Sequence, residues 1–228
     1  MKRNTDLDFI RAILIVLMIL IHIVSFGNAY PQLKAGILSF MMPTFLIITG
    51  YLVNIEKTGR QMGNYLKCLA LPYVIMVTGF SVLSYYMPVR DGITELSLSQ
   101  ICEKIFVTSI GPYWFIQTMI ICGTLYYFCF RGRNWNDLRK NYTKRDTYAS
   151  LFVFAVTLLL ISETPALSAS AAAYYFIGVV IRQSKTEWNK LFRHEFFAII
   201  LWIYLLNHDD WYDWGSLAIV FSCWCCIS

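Results

Sequence analysis

Charge is what this chain has least of. Asp, Glu, Lys and Arg make up 14% of its 228 residues, against roughly 25% in soluble domains. Hydrophobic types reach 57% and aromatics 17%. A water-soluble body of this size would lack the polar side chains to cover its surface. The composition therefore excludes an ordinary cytosolic enzyme, and equally a disordered or collagen-like chain. No internal repeat or low-complexity tract interrupts it, and there is no phosphate-binding glycine loop, HExxH pair or G-x-S-x-G elbow. Of the seven cysteines, Cys68, Cys122, Cys129, Cys223, Cys225 and Cys226 lie in or beside apolar runs, and Cys102 stands alone in a loop. They are read as packing residues, with no metal site expected.

What the chain does have is apolar runs. A bilayer core takes about 20 mostly apolar residues per helix. That length gives spans near 8–28, 33–54, 66–87, 110–130, 147–162, 168–184 and 194–206, with an eighth starting near 215. The expected fold is all-α: one polytopic transmembrane bundle of about seven to eight spans over residues 1–228. The net charge of +5 is not a nucleic-acid patch, because the basic residues sit in short blocks between the runs. Lys2 and Arg3 precede the first span, and Lys57, Arg60 and Lys67 follow the second. Arg131 to Arg145 follow the fourth, and Arg182 to Arg193 follow the sixth. The alternate connectors are poor in Lys and Arg, and His208 to Asp213 is acidic. Basic loops stay in the cytoplasm, which places the N-terminus there. The first run is too long and too charged, with Asp6, Asp8 and Arg11, for a cleaved signal peptide.

Two residues of the first span do not belong in hydrocarbon. Arg11 and His22 stand about three helical turns apart on one face, roughly 16 Å along the axis. Asp8 lies one turn before Arg11, and charged groups at such depth mark functional sites. A neutral imidazole can take a proton from an attacking hydroxyl, while a permanently charged guanidinium can hold phosphate or carboxylate. Their separation is comparable to an extended pantetheine arm. The pair reads as a polar track entering the bundle from the cytoplasm.

The segment LDFIRAILIVLMILIH resembles the first-helix signature of the acyltransferase-3 family, with Asp8, Arg11 and His22 in matching positions. Pro43, Phe45, Gly50, Tyr51 and Leu52 resemble its second-span motif, with Thr49 where serine is usual. Pro72-Tyr73, Tyr113-Trp114-Phe115-Ile116 and Tyr175-Phe176-Ile177-Gly178 continue the resemblance in family order. It implies a multispanning enzyme of the bacterial inner membrane. Such an enzyme moves an acyl group, usually acetyl, from cytoplasmic acyl-CoA to a hydroxyl of a cell-envelope carbohydrate. His22 would be the base, with Arg11 contacting the donor or organising the site together with Asp8. The basic stretch before Pro72-Tyr73, usually arginine-rich, has Lys67 as its nearest cation for donor contact. The family has roughly ten spans of about 20 residues, so the chain looks C-terminally shortened.

Trp114 and Gln117, at i,i+3 on the fourth span, are candidates for one wall of an acceptor pocket, since Trp stacks on sugar faces and Gln bonds hydroxyls. The expected partners are acyl-CoA, a hydroxyl acceptor and membrane lipid, with no nucleic acid and no permanently bound cofactor. Two alternatives stand beside the enzyme: an inactive fragment of one, and a proton-coupled carrier in which His22 relays protons and Pro43 and Pro72 break helices.

Overall fold

The computed structural model describes residues 5–130, apart from 56, 88 and 90, and residues 144–184. The expected spans near 194–206 and from 215, the basic residues 131–143, His194 and the acidic segment at 208–213 lie outside the described residues. So do Cys223, Cys225 and Cys226, whose order Cys-Trp-Cys-Cys puts Cys223 and Cys226 at CxxC spacing.

All regular structure among the described residues is helical: α1 (Thr5–His22), α2 (Val24–Ala29), α3 (Pro31–Leu52), α4 (Gly59–Tyr86), α5 (Leu98–Phe106), α6 (Trp114–Phe130), α7 (Lys144–Ser162) and α8 (Ala169–Gln183), with a 3-10 turn at Gly111–Tyr113. Among the described residues, three helices are long and apolar enough to cross a membrane: Leu33–Leu52, Gly59–Tyr86 and Gly111–Phe130. The composition and these helices make this an integral membrane protein.

Local chemistry fixes the ends. A capping box starts α4: Gln61 N donates to Thr58 Oγ1 at 3.4 Å, and Thr58 N donates to Gln61 Oε1 at 3.0 Å. That reciprocal pair satisfies two donors with no partner inside the helix. It begins α4 seven residues before the expected 66. Pro31 opens α3 at a position where a missing N–H costs nothing, and Ser168 caps α8. Three expectations are corrected. The first span is not one helix over 8–28: it breaks at Ile23, whose extended backbone separates α1 from α2. Helices α3 and α4 continue through Pro43 and Pro72, so these prolines do not end them. Cys102 is on a helix, α5, inside the stretch expected to be a plain connector.

Helix α3 is the centre of the packing. It runs parallel to α6, and contacts recur at one offset: the Phe45 and Phe115 rings at 5.8 Å, Thr49 Oγ1 with Met119 Sδ at 3.6 Å, and, past the end of α3, Tyr127 OH donating to Lys57 O at 3.1 Å. On its other side α3 meets α8 backbone to backbone. A Cβ at Gly50 would collide with the Tyr175 carbonyl, and one at Gly178 with the carbonyl of Ile47. Small residues let helices approach this closely in membranes, where packing replaces the hydrophobic drive. Tyr126, Phe130, Phe154 and Phe176 then form a run of ring contacts tying α6, α7 and α8 together.

Because the atoms in the way are backbone, Gly178→Ala should cost about 1–3 kcal/mol of overpacking. Gly79→Ala is the control, since a Cβ there meets nothing within 4 Å. Thermal unfolding in detergent should show a clear drop for the first and none for the second. Equal melting temperatures would contradict the close α3–α8 contact.

Candidate functional site

His22 is the last residue of α1. Its Nδ1 lies 2.7 Å from the Met18 carbonyl oxygen. A carbonyl oxygen only accepts, so Nδ1 carries the hydrogen of this bond, and in the neutral ring the lone pair is then on Nε2. The ring is exposed among the described residues. Just beyond it the helix gives way at Ile23, which offers α2 no side-chain cap.

Arg11 shares that exposure. The packed face of α1 is Leu7, Ile10, Leu14 and Ile21, which join α3 residues in one core cluster. Arg11 and His22 therefore lie on the flank turned away from this core. Among the described residues, Arg11 and His22 are exposed side chains of α1. Asp8 is half-buried on the same helix.

At the Arg11 end, cations gather on aromatic rings. Arg11 is within electrostatic reach of the Tyr65 hydroxyl, and Lys57 Nζ sits 4.1 Å from the centre of the Tyr65 ring. The Arg182 guanidinium is 5.7 Å from the Tyr51 ring. Beside it, Gln183 Nε2 donates to Tyr126 OH at 2.6 Å. Such cation–ring contacts orient the charged groups at this end of the described helices. Lys67 is exposed on α4. It lies two residues past Tyr65 and thus about 200° around the helix, so Lys67 does not share the face of α4 that carries Tyr65.

The opposite end holds Trp114 and Gln117. Trp114 is half-buried with its ring against Phe115. Gln117 is only 5% exposed. Its Nε2 donates to the carbonyls of Phe106 and Val107 at 3.2 and 3.3 Å, the end of α5. Tyr73 does similar work from α4, donating to the Ile105 carbonyl at 2.8 Å. Among the described residues no three His, Cys, Asp or Glu side chains gather as metal ligands would.

A profile of the acyltransferase-3 family, described as an acyltransferase domain, matches residues 4–225. The chain belongs to the acyltransferase-3 family. Comparisons with curated proteins and with solved structures return no match. Membership of the acyltransferase-3 family points to acyl transfer, and the matched segment includes Asp8, Arg11 and His22.

Sequence reasoning named Lys57 and Arg182 only as marks of orientation and missed Tyr65. Their signal was a tyrosine within reach of a basic loop. It also read Tyr73 as a motif residue without a task. The task is to satisfy a helix end, and Gln117 shares it. Removing either donor takes away a part-buried hydrogen bond, worth about 0.5–1.5 kcal/mol. Tyr73→Phe and Gln117→Leu should each lower the melting temperature of the purified protein. Unchanged melting in both would show that these bonds hold nothing.

Proposed function

We propose that the protein is an integral-membrane O-acyltransferase of the bacterial inner membrane that moves an acyl group, most simply acetyl, from cytoplasmic acyl-CoA to a hydroxyl of a cell-envelope carbohydrate. The observation that carries this reading is the Nδ1 bond of His22 to Met18, which leaves Nε2 as the acceptor a general base needs.

In this reading the Arg11 end faces the cytoplasm, in keeping with the basic loops. Arg11, with Lys57 and Arg182 nearby, attracts the phosphates of the donor. The pantetheine arm then extends along the open flank of α1 and brings the thioester to His22, roughly 16 Å away. Nε2 takes the proton of the acceptor hydroxyl as its oxygen attacks the thioester carbonyl. The tetrahedral intermediate collapses, the C–S bond breaks, and the leaving sulfur takes the proton from the imidazolium. Ester and free CoA are the products, and His22 returns to its neutral form. A carrier that used Pro43 and Pro72 as breaks finds no support, since α3 and α4 run through both.

A general base contributes about 10²–10⁴-fold, so His22→Ala should lose at least that much transfer of labelled acetyl from acetyl-CoA to an envelope fraction. The variant should keep the melting temperature of the wild type, because His22 is exposed. Undiminished turnover in His22→Ala would remove the histidine from the chemistry.

A further inference from the structure

We infer that α5 is a re-entrant helix, entering the bilayer from the end opposite Arg11 and stopping inside it, and that its Ser99–Glu103 edge lines a water-filled approach for a hydroxyl-bearing acceptor.

The descent is read from two hydrogen bonds to α4. Ahead of α5, Ile93 N donates to Ser84 Oγ at 3.1 Å. At its end, the Ile105 carbonyl accepts from Tyr73 OH at 2.8 Å. Ser84 and Tyr73 are about three turns apart on α4, roughly 16 Å, or about half of a 30 Å hydrocarbon core. The chain thus moves down α4 while it forms α5, then returns to begin α6 near Phe80, whose ring lies 5.9 Å from that of Tyr113. The return is anchored at one point: Ile110 is fully enclosed and clusters with Tyr73 and Val77, while Gly111 and Pro112 are exposed. Gly111, at φ +58, makes the reversal with a backbone that side chains disfavour.

The end of α5 is finished as a helix end away from water must be. Its Glu103 carbonyl accepts from Val107 N and Thr108 N. Ile105 is closed by Tyr73, and Phe106 and Val107 by Gln117. On a wet surface these carbonyls would need no dedicated side chains; in a bilayer, non-helical backbone survives only against protein or a water-filled cavity.

The edges of α5 decide which of the two faces it. Ile101 and Ile105 are half-buried on the protein side, while Leu98, Cys102 and Phe106 form an exposed apolar edge. Next to that edge, Ser99 and Glu103 are exposed one turn apart. Glu103 is in the last turn, at the deep end. A carboxylate presented to lipid there would cost about 2.5–3.5 kcal/mol, so this edge meets water. Lys104 turns the other way, with Nζ donating to Thr108 Oγ1 at 3.4 Å. The acceptor's use of this path rests on the acyl-transfer reading above; the water does not.

The test is site-resolved labelling of the full chain in intact cells with a membrane-impermeant methanethiosulfonate added outside, read by peptide mass spectrometry. Ser99→Cys and Glu103→Cys are compared with Ile75→Cys, an exposed apolar position of α4. Thiolates form in water and not in hydrocarbon, so both α5 positions should label at least about tenfold faster than position 75. Labelling at 99 but not at 103 would mean that the deep end of this edge does not meet water and would overturn the proposal. Silence at both, or labelling only in inverted vesicles, would overturn it too. Native Cys102, on the apolar edge of α5, should stay as slow as position 75; fast labelling there as well as at 99 and 103 would mean a helix lying on the wet surface and overturn the proposal. None of these outcomes depends on transferase activity, so failure here is separable from failure of the acyl-transfer reading.

Discussion

Inside hydrocarbon a backbone carbonyl has no water to turn to, and every interruption of a helix must be closed by the protein itself. Much of this structure follows from that constraint. The long helices α3, α4 and α6 satisfy themselves. Where the chain departs from them, particular side chains are committed to the backbone: Tyr73 and Gln117 at the end of α5, and His22 at the end of α1. The last of these has a chemical consequence. By occupying Nδ1, the Met18 carbonyl settles which nitrogen of the neutral imidazole is left as a base.

Three cations of the described residues share one end of the helices. Arg11, Lys57 and Arg182 collect at one end, each close to a tyrosine, while His22 lies about 16 Å along α1 from Arg11. A molecule with an anionic head and a reactive tail suits that layout better than a compact substrate does. The close α3–α8 contact through Gly50 and Gly178 supports it from behind, because the same α3 packs against α1 through Met41 and Ile48 in the cluster that contains Leu14. Arg11 and His22 thus stand beside a tightly packed core.

The all-helical class was legible because a 20-residue apolar ruler suits long spans, and α3, α6, α7 and α8 fall close to where it puts them. Seven or eight spans and the orientation remain readings of the loops and of length. The ruler is blind to shorter elements. Helix α5 has nine residues, and its apolar edge is legible only once a helix is supposed there. With α5 unseen, Gln117 could be read either as an acceptor contact or as a polar packing residue; its amide nitrogen bonds α5's carbonyls. The break at Ile23 left no mark, since neither glycine nor proline stands at that position. Helical spacing put Arg11 and His22 on one face; which way that face looked depended on α3, and no spacing within α1 contains that.

Everything in the functional account begins with donor capture at the Arg11 end. The direct measurement is equilibrium binding of acyl-CoA to the purified, folded protein in detergent or nanodiscs, with wild type beside Arg11→Ala. The account predicts saturable binding that weakens when Arg11 is lost, about as expected for a charge-assisted phosphate contact of 1.5–3 kcal/mol. Absence of binding by wild-type protein with a normal melting curve would contradict it.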